Sequence, residues 1–300
     1  MVVKSSSSRT AVASLRGLCY IFSMKTRAVQ FGPVLGNLGA NLDYHRRSIR
    51  RAVDDGVDLI VFPELSLSGY HLKDIVFEAA LRPDGPEVEE LKALSREIDI
   101  LVGGPYEAEP GLIFNSALVF SGGDMLHRHD KVQLPNFGMF EERMIFKPGR
   151  TFQSFTIKGL RLGILICREI LFPVYAYLYF LQHVDFLIGI SNSPHRGLGK
   201  AHFASLELWE TMGRVFSVFY HLPYVFVNRI GFEDGMGFPG GSFHAEPGRG
   251  IVSRAPLFTE GVLDFEINPG DHRGARLAGN YLRDEDPRIV LDELQRILHA

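Results

Sequence analysis

Cysteine is nearly missing from this chain: Cys19 and Cys167 are the only two among 300 residues. That is too few for a disulfide framework, so the reading is a protein of a reducing compartment, the cytoplasm. No apolar run is long enough to span a bilayer; Ala176–Phe180 is apolar and aromatic, but Gln182, His183 and Asp185 soon follow. There is no long basic run, and the net charge of −3 points away from nucleic acid and from an anionic membrane as partners. Leu15–Phe22 is interrupted by Arg16 and lacks a small-residue cleavage site, which argues against a secretory signal. No internal repeat and no linker divides the chain, so residues 24–300 are expected to form one domain. Residues 1–23 read differently. Ser5–Ser8 is a polar tract without periodicity, whereas Met24 opens MKTRAVQFGP, which runs straight into a strand. The expectation for 1–23 is a disordered extension or a mis-assigned start.

What is present is an alternation of strand and helix patterns. Arg27–Phe31, Leu59–Phe62 and Ile100–Val102 read as strands, and Leu42–Val53 and Val88–Ile98 as amphipathic helices between them. Ser116–Phe120 and Met125–Val132 form a hairpin across Gly122-Gly123-Asp124, and Phe152–Ile157 pairs with Leu160–Ile166 across Lys158-Gly159. Phe186–Ile190, Tyr224–Val227, Gly241–His244 and Val262–Ile267 complete the strands; helices are expected over Pro173–Gln182, Ala201–Tyr220 and Asp286–Leu298. Gly235–Gly241 reads as a loop, and without a Gly-Lys-Ser/Thr ending it is no phosphate loop. Helices between strands predict an α/β fold of sheets covered by helices, and the hairpins make those sheets mixed.

Gly159–Pro173 is the stretch that carries chemistry. Leu162–Ile166 is wholly apolar, then Cys167-Arg168-Glu169 follow, then Pro173, a residue favoured in a first helical turn. Strand, sharp turn and helix is the geometry of a nucleophile elbow, with a buried, inert thiol as the bland alternative. Two more reactive residues stand near strand ends: Glu64 after LIVFP, and Lys131 in HRHDKVQLP. Sites gather outside strand ends in covered sheets. A carboxylate can serve as base for a thiol, and an ammonium can hold an oxyanion beside the N–H of Arg168. His127 and His129, two apart on a strand, share a face, but no Cys, Asp or Glu cluster completes a metal site.

FPELSLSGY, HDKVQLPNFGMFEERMIF and GILICREILFP together resemble the three motifs of the nitrilase superfamily, the carbon–nitrogen hydrolases. The likeness runs from about Met24 to the C-terminal helix. It implies an α-β-β-α sandwich, Glu64 as general base, Lys131 as oxyanion stabiliser and Cys167 as nucleophile. The family's second glutamate matches Glu142 by its spacing to Phe146, with Glu141 adjacent. Within the superfamily, LPNFGMFEE, FVNRIGFEDGMGFPGGSF and the Ser193-Pro194…Gly199-Lys200 spacing resemble the glutamine-hydrolysing domain of glutamine-dependent NAD synthetases. Phe137 stands where that domain usually has tyrosine. No ATP-using synthetase segment accompanies it in these residues, so NAD synthesis by this chain alone is not expected.

The resemblance implies an amidohydrolase that forms a cysteine thioester from a small non-peptide amide and releases ammonia, with no cofactor and no metal. Substrate contacts are expected from Phe137, Arg168, Asn192 and Ser193. Arg168, Arg143, Arg196 and Lys200 lie near the chemistry in sequence and favour a carboxylate-bearing amide, glutamine or another ω-amide. A homodimer or larger homo-oligomer is expected from the aromatic and apolar surface of Val174–Phe180 and the C-terminal segment. The alternatives are an ammonia-supplying subunit that depends on a separate synthetase, an N-carbamoyl hydrolase, a nitrilase or an acyltransferase.

Overall fold

The computed structural model describes residues 23–195, 204–279 and 281–299. Residues 1–22, with Cys19 and the serine tract, and Arg196, Gly199 and Lys200 lie outside the described residues.

Fourteen strands are described: Met24–Gln30 (β1), Leu59–Val61 (β2), Asp99–Glu109 (β3), Leu112–Ser121 (β4), Asp124–Asp130 (β5), Phe155–Ile157 (β6), Leu160–Ile166 (β7), Phe186–Ser191 (β8), Tyr224–Asn228 (β9), Ile230–Glu233 (β10), Met236–Pro239 (β11), Phe243–Glu246 (β12), Gly250–Arg254 (β13) and Gly261–Ile267 (β14). Two six-stranded sheets hold twelve of them, in the orders β14-β1-β2-β3-β4-β5 and β13-β12-β9-β8-β7-β6. At each centre three strands run parallel, β1-β2-β3 and β7-β8-β9, with antiparallel strands on the flanks. Both sheets are therefore mixed.

Strand alternation builds three layers of core. Leu59, Val61 and Leu101 of one sheet meet Leu162, Ile164, Ile166, Ile188 and Ile190 of the other. The intervening residues Ile60, Phe62, Ile100 and Val102 point outward and pack on Leu42 and Ile49 of the helix Leu38–Asp54 and on Val88 and Leu91 of the helix Pro86–Leu94. On the second sheet Leu165, Leu187, Tyr224 and Phe226 meet the helices Pro173–Leu181 and Ala204–Arg214. A strand covered on both faces must be apolar at every position, which is why β2 and the Leu162–Ile166 part of β7 read as unbroken apolar runs. The architecture is the α-β-β-α sandwich.

Three expectations need correction. Asn37 caps the first helix by accepting from the Ala40 N–H at 3.0 Å, so the helix begins four residues before Leu42. Gly235–Gly241 is not all loop: Met236–Pro239 pairs with Ile230–Glu233, turning at Asp234 and Gly235 with φ of 48° and 77°, as an Asp-Gly hairpin requires. The helix expected to end at Tyr220 is α-helical only to Arg214 and continues as a π-helical turn over Val215–Phe219.

Candidate active site

The site forms where β2, β5 and β7 end. After β2 the chain turns at Pro63-Glu64, and Leu65 takes a φ of 46°. β3 passes directly beneath. A Cβ on Gly103 would lie 2.4 Å from the Leu65 nitrogen and 2.5 Å from the Pro63 oxygen, so only glycine permits the approach that sets Glu64. Lys131 follows β5, and its N–H donates to the Asn115 carbonyl on β4 at 2.8 Å. Cys167 follows β7 at a φ of 48°, and a 3₁₀ turn, Cys167–Leu171, leads into the helix from Pro173. A non-glycine residue in this region is strained and persists only where its surroundings impose it.

Side chains meet across these turns. Lys131 Nζ donates to Glu64 Oε1 at 2.7 Å and to Glu142 Oε1 at 2.8 Å. Asn115 Nδ2 also donates to Glu64 Oε1, at 2.8 Å, and the Asn192 N–H donates to Glu64 Oε2 at 2.7 Å. Tyr70 donates its hydroxyl to Glu142 Oε1 at 2.7 Å. Glu64 and Lys131 are fully buried and Glu142 nearly so, and Cys167, half-buried, lies close enough to all three to interact electrostatically.

Two carboxylates and one ammonium without solvent leave an excess of negative charge. Burial opposes the charge on Lys131, but the Glu142 and Glu64 carboxylates outweigh it and hold the ammonium protonated. Burial, with Glu64 beside it, pushes the Glu142 carboxyl up to about 7 against the pull of Lys131. The Cys167 thiol rises to about 12, first through burial and then through the charge of Glu64, while Lys131 works the other way. Such a thiol is not a thiolate at neutral pH and needs a base within reach.

A cavity of about 320 Å³ opens beside Cys167, walled by Phe137, Phe140, Leu171, Leu208 and Trp209, with Arg168 and Ser193 among its few polar groups. The Arg168 guanidinium lies 4.7 Å from the Phe137 ring centre and 5.7 Å from that of Phe172, and among the described residues it makes no ion pair.

The sequence-predicted residues divide. Glu64, Lys131, Glu142 and Cys167 come together, and Phe137, Arg168 and Ser193 line the cavity. The Ser193 hydroxyl is already the acceptor of the Trp209 indole N–H at 2.7 Å. Asn192 is not on the cavity wall; its main chain holds Glu64 instead. Arg143 is exposed and outside the cavity. His129 Nε2 donates to the Glu169 carboxylate at 2.8 Å, and His127 stacks on Phe155. Among the described residues no cluster of His, Cys, Asp or Glu could hold a metal ion. Sequence reasoning missed Tyr70, Asn115 and Glu169 as supports. Tyr70 and Glu169 stood inside the quoted motifs; Asn115 carried no signal at all.

The sequence profile of the carbon–nitrogen hydrolase family matches residues 25–277. A glutamine-dependent NAD(+) synthetase of Thermotoga maritima is 28% identical over 252 residues, which is 82% of this chain and 42% of that protein. The solved glutamine-dependent NAD+ synthetase of Acinetobacter baumannii, in complex with ADP, superposes with a TM-score of 0.72 at 28% identity over 82% of this chain and 45% of the other. A CN-hydrolase superfamily protein of Xanthomonas campestris reaches a TM-score of 0.78 at 21% identity, over 89% of this chain and 98% of its own, and shares the fold. The chain spans a little under half the length of the curated synthetase relatives it matches first.

Proposed function

This chain belongs to the carbon–nitrogen hydrolase family, and on that footing we propose that it cleaves a small non-peptide amide through a thioester on Cys167. Glu64 takes the thiol proton as sulfur attacks the amide carbonyl, whose π electrons move to oxygen. Lys131 and the Arg168 N–H hold that oxyanion. Two of the three ammonium N–H bonds of Lys131 go to Glu64 and Glu142, which leaves a third for the substrate. Glu64 passes its proton to the departing nitrogen, the C–N bond breaks, and ammonia leaves. Water then attacks the thioester with Glu64 again as base, releasing an acid and restoring the thiol. The observation that carries this reading is the buried Glu64–Lys131–Glu142 chain set beside a thiol on a strained elbow. Cys167→Ala should abolish ammonia release with the fold intact; full turnover in that variant would sink the scheme.

The substrate we infer carries a carboxylate: glutamine or another ω-amide. Support comes from Arg168, a guanidinium at an apolar cavity wall that lies over the Phe137 and Phe172 rings and makes no ion pair among the described residues, and from relatives named as glutamine-dependent. Ammonia release should be measured across glutamine, asparagine, ω-amides, aliphatic amides, N-carbamoyl compounds and nitriles. Preference for uncharged amides or nitriles would overturn the assignment. A second reading has the same chemistry feeding a partner synthetase, favoured by relatives that are themselves synthetases of greater length. Ammonia release that appears only when a synthetase is added would select it, and transfer of a trapped acyl group to an amine would select an acyltransferase.

A further inference from the structure

We propose that Glu233, at the end of β10, is a positioning residue for the Lys131–Glu142 pair and acts through the main chain of Tyr70. The Glu233 carboxylate is buried. Its Oε1 accepts the Tyr70 N–H at 2.9 Å and the His71 N–H at 2.7 Å, and its Oε2 accepts Arg229 Nη1 at 2.5 Å. Arg229 is itself 1% exposed, with its guanidinium 4.3 Å from the Phe238 ring centre. Gly69, at a φ of 79°, lets the turn close over the carboxylate, since a Cβ there would lie 2.9 Å from Glu233 Oε2. The turn Gly69–His71 is thus wrapped around one buried anion.

Tyr70 then carries the constraint to the active site. Its hydroxyl donates to Glu142 Oε1, the oxygen that also accepts Lys131 Nζ. The order is hairpin, carboxylate, turn, phenol, carboxylate, ammonium. A buried ion pair adds little net stability, so the value of Arg229–Glu233 lies in where it holds the turn. Burial alone would raise the Glu233 carboxyl, but the bonds from His71 and Arg229 hold it at about 2, and it stays charged across the working range.

The proposal rests on Cys167 being the nucleophile, but its test needs no substrate. The rate of Cys167 alkylation by iodoacetamide is followed by mass spectrometry across neutral and mildly alkaline pH, in the full chain. Tyr70→Phe should change that rate by about threefold or more and displace its pH profile. Glu233→Gln should produce the same displacement, and the double variant no more than Tyr70→Phe alone, since residues in one network do not act additively. Asp234→Asn, an exposed neighbour bonded to Lys73, should leave the profile unchanged. If Glu233→Gln fails to fold, Arg229→Met with Glu233→Gln removes both buried charges together and is put through the same cycle. Additive effects of Glu233→Gln and Tyr70→Phe, or a lower melting temperature with an unmoved profile, would overturn the proposal. Failure of the thioester reading shows separately, as amide turnover that survives Cys167→Ala.

Discussion

At the scale of single residues the site is a problem in charge placement. Lys131 serves two buried carboxylates at once, and the carboxyl left least satisfied, Glu142, takes up a proton near neutrality. Its ordinary value is 4.5 and its folded value about 7. Below that pH it is protonated and accepts less well from Lys131. The rate of the proposed amide cleavage should therefore climb as pH rises through about 7, and Glu142→Gln should remove that limb and slow the reaction by roughly 10²-fold, the scale of one lost oxyanion support. A limb that persists in Glu142→Gln would assign it elsewhere. The linkage has the opposite sign for stability. A carboxyl raised by folding contributes fully below 4.5 and loses that contribution as pH rises through about 7. The thiol offers a second check. Its absorbance titration, as a difference against Cys167→Ala, should have its midpoint well above the ordinary value of 9, towards about 12; a midpoint below 9 would mean the thiol is ionised without help from Glu64.

At the scale of elements, one carboxylate ties two strand ends together. Glu169 accepts the Val132 N–H at 2.6 Å, next to Lys131, and the Ile166 N–H at 2.7 Å, next to Cys167, and it bonds His129 as well. Removing it leaves those buried donors without an acceptor, at about 1–3 kcal/mol each. Glu169→Ala should lower the unfolding free energy by several kcal/mol in denaturant titration and cut activity by separating Lys131 from Cys167. An unchanged midpoint would show that water replaces it. The elements themselves were largely legible, because a strand covered on both faces needs an unbroken apolar run and β2, β7 and β8 each have one. Glu64 and Cys167 were legible because each follows such a run, whereas Lys131 follows the polar strand β5 and was legible through the motif around it. The hairpin β10–β11 was hidden because glycine-rich sequence dilutes a strand pattern even where Asp234-Gly235 marks the turn. Asn115 was illegible for another reason: it sits mid-strand on β4, and only the register that places β4 beside β3 and β5 brings its amide to Glu64. Long-range pairing of that kind leaves no local trace.

At the scale of the whole molecule, one face lacks a cover. The helix Pro287–Leu298 is amphipathic, yet none of its residues is buried, and Leu291, Leu294, Ile297 and Leu298 are all exposed. Twelve residues of helix are marginal in water without tertiary packing, so this helix requires a surface to lie on. The segment before it is fastened to the helix Pro173–Leu181 by the bond from the Tyr177 hydroxyl to Glu285, and that helix exposes Val174 and Leu178. Phe219 and Leu277 add further exposed apolar area. A second copy of the chain presents the same helices, and a two-fold arrangement lets each cover the other. We therefore expect the purified chain to be a homodimer or larger homo-oligomer, with Leu291→Asp and Leu294→Asp together driving it to monomer in light scattering. A partner synthetase is the competing occupant of that face. The two are distinguished with the purified chain alone: a wild-type monomer at micromolar concentration, carrying a frayed C-terminal helix by hydrogen exchange, would mean that the cover comes from another protein.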